Sequence, residues 1–273
     1  MTGADWLEVC RDAAAAVSVV LDELPTRLER EPRVGDGAGG DETTAVDAAA
    51  EAAVVARLER VPAGFTLVSE ELGRRVFGDG GDGVTVVCDP IDGSLNAKRG
   101  IPFFSLSLAV ASGPAMEDVE LGFVHDFGTG EEWVARRGEG AFLNGRPLDG
   151  PPPKERIEIL SLEATRTDLV AEHVAAMVGF AVRTRVMGSL ALSLCHLAAG
   201  RVDAVVSLKP ARSVDIAAAQ LLVRERGLAI DLPDDPPFGA APLDLVGRSR
   251  VAAAGTPEIC AELAARLGAP APR

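Results

Sequence analysis

Val84-Thr85-Val86-Val87-Cys88-Asp89-Pro90-Ile91-Asp92-Gly93-Ser94 joins an apolar, β-branched run to two carboxylates, a proline and a glycine. Val84 to Cys88 predicts a buried strand, and Pro90 with Gly93 predicts that the chain turns where the strand ends. Rigid Pro90 and unhindered Gly93 let Asp89 and Asp92 converge while the Gly93 and Ser94 amides face the same space. Carboxylates with a backbone carbonyl suit a hard divalent cation, and free amides at a helix start suit a phosphate. The segment therefore reads as metal-assisted phosphoryl chemistry. Asp, Pro, Gly and Ser are also the ordinary turn residues, so this stretch alone leaves both readings open.

Upstream, Leu7, Cys10, Ala14, Val17, Leu21 and Leu24 recur at helical spacing and predict a helix ending before Pro25. Arg30 to Gly40 has four glycines and no apolar period, which predicts a loop, a candidate lid beside the acidic motif. Thr44 and Asp47 fit a capping box opening a second helix to about Arg60. Short β-like runs follow at Phe65 to Val68, Val84 to Cys88, Phe104 to Val110, Val119 to His125 and Glu131 to Ala135, with a tight-turn signal at Asn144-Gly145. The first half thus predicts two helices and an antiparallel sheet.

Downstream, Pro151-Pro152-Pro153 separates residues 1–150 from 151–273, where the pattern changes. Strands at Ile157 to Ser161, Ala181 to Met187, Val202 to Leu208 and Val251 to Ala254 alternate with helices at Thr167 to Val178, Ser189 to Ala199, Asp215 to Arg226 and Pro257 to Leu267. Such alternation predicts an α/β layer. The fold class expected is α/β with an α+β first half. Alanine-rich stretches read as helix propensity.

The chain has 273 residues, 41 acidic against 27 basic, for a net charge of −14. With 47% apolar residues it can bury a large core, which excludes disorder as its general state. The acidic balance repels polyphosphate and anionic lipid and argues against nucleic-acid or membrane-surface partners. An anionic substrate would then need local cations or a metal. Phe103 to Met116, interrupted by Ser107, Ser112, Gly113 and Pro114, is too short to span a bilayer. Asp5, Glu8 and Asp12 stand where a secretory signal would be basic, so a cytoplasmic location is expected. Cys10, Cys88, Cys195 and Cys260 form no zinc or disulfide spacing with His125, His173 and His196, and buried reduced thiols are expected.

Three more acidic features fall at element ends: Glu70 and Glu71 after the strand at Phe65 to Val68, Asp47 at a helix start, and Asp215 at another. Each also has a structural reading, as solvated surface, as half of a capping box, or as an acid favoured by the helix dipole. Side chains at element ends can meet across a cleft. Together they could hold two or more metals, a known solution for in-line phosphate displacement.

Asp89 to Ser94, Ser69-Glu70-Glu71, Asp41 to Asp47 and Val214-Asp215-Ile216-Ala217-Ala218 resemble, in order and separation, the four motifs of the inositol monophosphatase family. Gly130 to Gly145, Arg185 to Ser189 and Gly200 to Ala204 look similar too, and the chain is closest in pattern to archaeal members with both inositol monophosphatase and fructose-1,6-bisphosphatase activity. The resemblance implies a layered αβαβα sandwich of the sugar-phosphatase type, its site between the two halves. It also implies Mg²⁺, two or three ions per site. Glu70, Asp89 and the Ile91 carbonyl would hold one ion, and Asp89, Asp92 and Asp215 a second. Asp47, Glu70, Glu71 and Ser94 take catalytic roles by this resemblance, with Ser94 hydrogen-bonded to Asp47 and activating water; the Gly93 and Ser94 amides hold phosphate. Gly188 and Ser189 would form the substrate wall. Arg185, Arg201, Lys209 and Arg212 are the candidate substrate cations, with a solvated basic rim as their other reading.

The expected activity is hydrolysis of a small polyol or sugar phosphate, by a homodimer if the family pattern holds. A nucleotide 3′-phosphatase, a phosphatase of a specialised biosynthetic pathway and a metal- or sugar-phosphate-binding pseudoenzyme are the alternatives. The chain departs from the family at Ser94, where many members have Thr, at Val214, where the common eukaryotic pattern has Trp, and at Leu190, where a small residue is frequent.

Overall fold

The computed structural model describes residues 5–78, 83–149, 154, 156–163, 166–234 and 237–268. The chain begins with helices α1 (Trp6–Glu23) and α2 (Arg27–Arg30), strands β1 (Arg33–Asp36) and β2 (Glu42–Thr44), and helix α3 (Ala45–Leu58). Next come β3 (Phe65–Ser69), β4 (Gly73–Phe77), β5 (Thr85–Asp92), the short helix α4 (Ser94–Arg99), and β6 (Ser105–Ala111). Strands β7 (Val119–Asp126), β8 (Glu132–Arg136), β9 (Gly140–Leu143) and β10 (Arg146–Pro147) complete the first sheet. The rest comprises β11 (Ile157–Glu163), α5 (Thr167–His173), β12 (Ala181–Arg185), α6 (Leu190–Ala198), β13 (Ala204–Ala211), α7 (Ser213–Glu225), β14 (Ala229–Asp231), β15 (Ser249–Ala254) and α8 (Pro257–Gly268). No helix among the described residues is long and apolar enough to cross a membrane.

These elements stack in five layers because strand side chains alternate between faces. In the eight-stranded sheet, ordered β10-β9-β8-β7-β6-β5-β3-β4, Val86 and Cys88 face one side with Trp6, Cys10 and Val17 of α1 and Val46, Ala50 and Val54 of α3. Val87, Ala109 and Val124 face the other side, against α6 and α7. The five-stranded sheet, ordered β12-β11-β13-β15-β14, gives Val205, Val251 and Ala253 to that same central core. Ala204, Val206, Ala252 and Ala254 point outward to Cys260, Leu263 and Leu267 of α8. The layering is the expected αβαβα sandwich.

Three expectations are corrected. Residues 33–36, read as loop, pair antiparallel with β2, so only residues 37–41 form a turn. The first sheet is not wholly antiparallel: β3 and β5 run parallel, with Ser69 beside Cys88. The alanines of α7 do more than favour helix. Ala218 lies so close to β7 that a Cβ on Gly122 would stand 2.3 Å from its carbonyl oxygen, and small side chains permit that approach. Asn144 and Gly145 both adopt positive φ, as the tight turn required. Pro151 to Pro153 lie outside the described residues.

One backbone irregularity places the acidic motif. Asp89 pairs with Ser107 and Asp92 with Ser105, three residues against two. In a regular strand, side chains three apart face opposite ways; the extra residue of this bulge brings both aspartates to one side. Pro90 sits in the bulge, where no ladder N–H is required. Gly93 follows at φ +95°, where a Cβ would lie 3.0 Å from the Gly188 carbonyl oxygen and 3.2 Å from that of Phe103. Gly93→Ala should therefore cost about 1–3 kcal/mol of stability, read as a lower urea midpoint with unchanged slope; an unmoved midpoint would contradict this account of the turn.

Candidate active site

A cavity of about 260 Å³ opens between the two sheets, with Asp41, Glu70, Glu71, Asp89, Ile91, Asp92, Gly93, Ser94, Gly188, Leu190, Lys209, Arg212 and Asp215 in its lining. Glu70 and Asp89 reach it from the C-terminal ends of parallel β3 and β5. Asp92 arrives through the bulge and Asp215 from the first turn of α7, where its Oδ2 accepts the Arg212 amide at 2.7 Å. The turn carrying Glu70 and Glu71 is held from beneath by buried Glu51 of α3, which accepts the Ser69 hydroxyl and, at 3.2 Å, the Leu72 amide. The 37–41 turn packs on top: Ala38 and Gly39 donate their amides to the Glu71 and Glu70 carbonyls, each at 2.9 Å.

Burial and mutual repulsion dominate the electrostatics. Burial raises Glu70 to about 7, with Asp215 and Glu71 adding repulsion against the pull of Arg212. Asp92 also stands at about 7, raised by burial and then by Asp215 and Glu163, while the Ser189 hydroxyl and Ala191 amide favour its charged form. Asp89 is pushed well above the carboxylate range by burial, then by Glu70, Asp92 and Asp215. The cation in contact with these acids is Arg212, which donates to Glu70 and lies 3.4 Å from Asp215 and 3.3 Å from Asp41, whereas Lys209 and Arg248 line the cavity beside Asp41 and Gly39. One guanidinium cannot neutralise four clustered carboxylates. Hard oxygen donors, shared burial and uncompensated negative charge together fit a divalent cation.

Several expected residues lie outside the cavity or make other bonds than expected. Asp47 is buried outside the cavity lining: its Oδ2 takes the Thr44 amide at 3.1 Å and hydroxyl at 2.5 Å, while Oδ1 has no hydrogen-bond partner. The expected Ser94–Asp47 bond is not formed, because the Ser94 hydroxyl at the start of α4 reaches back to the Ile91 carbonyl at 2.9 Å. Glu71 accepts from the Thr43 hydroxyl. Ser189 is buried behind the wall and donates to Asp92. Arg185 ends the exposed edge strand β12 and donates to the Thr184 carbonyl. Arg201 is drawn away by Glu131, which it grips with both terminal nitrogens at 2.6 Å while stacking 5.0 Å from the Trp133 ring. Neither arginine lines the cavity.

Sequence reading passed over Glu163, Ser207 and Arg248, which do line it. Glu163 ends a strand, the same signal that marked Glu70, but its strand was read as stopping at Ser161. Arg248 has no local signal; it donates to the Gly39 carbonyl at 2.5 Å. Asp126, Glu131 and His196 form the one trio among the described residues whose potential ligand atoms all lie within 4.8 Å. Arg201 occupies Glu131, however, and Asp126 caps its own turn through the Gly128 and Thr129 amides. His125 and His196 pack against Phe127 and Phe103. All four cysteines are free and buried.

Acids from separate strand and helix ends, gathered in a five-layered sandwich around one cavity, define a metal-dependent phosphatase. The chain belongs to the inositol monophosphatase family, whose model matches residues 5–268, and it is accordingly a phosphoric monoester hydrolase. It is 37% identical over 200 residues to a fructose-1,6-bisphosphatase/inositol-1-monophosphatase of Methanothermobacter thermautotrophicus, covering 70% of this chain and 71% of that one. The corresponding protein of Archaeoglobus fulgidus is 33% identical over 255 residues, covering 92% and 93%. A solved inositol monophosphatase-fructose 1,6 bisphosphatase superposes with a TM-score of 0.81 at 28% identity, covering 96% of this chain and all of that one.

The raised carboxyls carry a consequence for stability. A folded-state pKa near 7, against ordinary values of 4.5 for Glu70 and 3.8 for Asp92, stabilises the fold fully at low pH, and that contribution is lost as pH rises through about 7. In EDTA, the thermal midpoint should fall between about pH 5 and pH 8 from these groups. An added divalent cation should raise the midpoint more at the higher pH. Melts followed by circular dichroism check both; equal cation stabilisation at the two pH values would contradict the charge reading.

Proposed function

We propose that this chain hydrolyses a phosphate monoester of a small polyol or sugar, of the inositol monophosphate or fructose 1,6-bisphosphate class, with Mg²⁺. One observation carries the reading: Glu70, Asp89, Asp92 and Asp215, from three separate places in the chain, line one cavity beside Gly93 and Ser94. The printed names of the archaeal relatives support the substrate class.

In this reading Glu70, Asp89 and the Ile91 carbonyl hold one Mg²⁺, and Asp89, Asp92 and Asp215 a second; a third would lie near Glu70. The Ile91 oxygen can accept from Ser94 and still offer a lone pair. When bound, the ions neutralise phosphate charge and make water a better nucleophile. The Gly93 and Ser94 amides hold the phosphate oxygens. The Ser94 hydroxyl, turned from Ile91 toward Asp47, whose Oδ1 is unpartnered, orients the attacking water, and Glu71 supports it from the hairpin side. A bond forms from water oxygen to phosphorus as the ester P–O bond breaks; the water loses a proton and the departing alkoxide gains one. Gly188 and Leu190 face the alcohol, and Lys209 and Arg212 add local positive charge. A homodimer belongs to this proposal on family resemblance, and light scattering tests it.

Phosphate release from inositol 1-phosphate, fructose 1,6-bisphosphate and adenosine 3′,5′-bisphosphate, with Mg²⁺ and with chelator, tests the reading. Mg²⁺-dependent release from either of the first two is expected, and Asp89→Asn should lower kcat at limiting Mg²⁺ by about 100-fold. Turnover of the adenosine compound alone would move the assignment to a nucleotide phosphatase. Full activity of the variant would remove Asp89 from the ligand set.

A further inference from the structure

Glu163 lines the cavity, yet the hydrolysis outlined above does not use it. It ends β11 beside Ser207 of β13 and is only 6% exposed. Three donors converge on its carboxylate. The Gly188 amide reaches Oε2 at 2.9 Å, and the Ser193 and Ser161 hydroxyls reach Oε1 at 2.6 and 3.0 Å. Burial pushes this carboxyl up, and the same donors favour its charged form.

Through Gly188 the residue fixes the wall that faces a substrate. Met187, just before, has its carbonyl held by the Asn96 amide at 2.7 Å. Ser189 and Ala191, just after, both donate to Asp92, the latter at 2.8 Å. Glu163 and Asp92 thus clamp one short segment from two sides. Glu163 is also near enough to help raise Asp92, so its charge is felt across that part of the cavity. Two cations that also line the cavity are engaged by the 37–41 turn: Lys209 lies 3.7 Å from Asp41, and Arg248 donates to the Gly39 carbonyl.

We propose that Glu163 determines the specificity of this cavity: the remaining acceptor site of its carboxylate takes a hydroxyl of a neutral polyhydroxy moiety, and its charge opposes a second anionic group at the same wall. The site then favours monophosphates of polyols or sugars over the corresponding bisphosphates. This rests on the hydrolysis reading and deepens it. A carboxylate strengthens hydrogen bonds from hydroxyl donors, whereas an anion brought against it in a buried wall is repelled with little screening.

Glu163→Gln tests this, because the amide keeps an oxygen for Gly188 and removes the charge. kcat/KM is measured for inositol 1-phosphate and fructose 1,6-bisphosphate, each referred to p-nitrophenyl phosphate, which has neither hydroxyls nor a second phosphate. The ratio of bisphosphate to monophosphate is expected to rise about tenfold in the variant, chiefly through KM. An unmoved ratio, with p-nitrophenyl phosphate still hydrolysed by both proteins, overturns this proposal alone. Failure of the wild-type protein on all three compounds overturns the hydrolysis reading, and this proposal with it. A second measurement needs no variant: against p-nitrophenyl phosphate in the wild-type protein, a hexitol monophosphate should compete at lower concentration than the hexitol bisphosphate. The reverse order overturns the proposal.

Discussion

Negative charge gathered where water is nearly excluded is the constraint around which this molecule is arranged. Glu70, Asp89, Asp92 and Asp215 would each prefer solvent, and each raises the others or is opposed by them through space. Burying like charges together is unfavourable unless something opposes them. Two devices in the fold do so. Arg212 enters the cluster with a guanidinium that is almost fully buried, and backbone or hydroxyl donors serve the remaining oxygens: Arg212 N–H for Asp215, Ile91 N–H for Asp89, Ser189 and Ala191 for Asp92. What is left over is negative charge facing an open cavity, which is the property that draws in cations.

The layered frame exists to hold those groups still. Parallel pairing of β3 with β5 brings two strand ends side by side, and the bulge at Pro90 rotates Asp92 to the side of Asp89. Central helices α6 and α7 lie between the sheets and share one core with both, so their first turns aim at the same place as the strand ends. Asp92 is the hinge of the arrangement: one of its oxygens anchors the start of α6 while the residue lines the cavity. In the proposed hydrolysis a single carboxylate therefore links the cation site to the segment from Met187 to Ala191, and Glu163 steadies that segment from the other sheet.

Local chemistry explains why so much was legible beforehand. Capping at Thr44 and Asp47, the period of α1, the strand that leads into Asp89 and the turn at Asn144-Gly145 depend on neighbours within a few residues, and the structure reproduces them. The motifs at Glu70, Asp89, Asp92 and Asp215 lay at element ends, and all four line the cavity. What failed had long-range causes. Residues 33–36 lack an apolar period because their strand is stabilised by pairing with β2, and the turn that follows docks on Glu70 and Glu71 through Ala38 and Gly39. Arg201 looked available until Glu131 and Trp133, some 70 residues earlier, were found to hold it. The Ser94 hydroxyl found a nearer acceptor than Asp47.

The sequence by itself determined most of the strands, helices and turns, and the four acids at their ends, because short-range sterics and hydrophobic periodicity act within a few residues. It also carried the family, through motifs whose order survives in the linear chain. Only the tertiary structure decided which charged groups meet. Arg212 reaches the acids and Arg185 does not; Glu163 becomes part of a wall built by Gly188; Arg248 comes over the 37–41 turn. The reason is physical: a side chain's partner is set by the packing of sheets and helices distant in sequence, and burial then makes that pairing strong enough to matter.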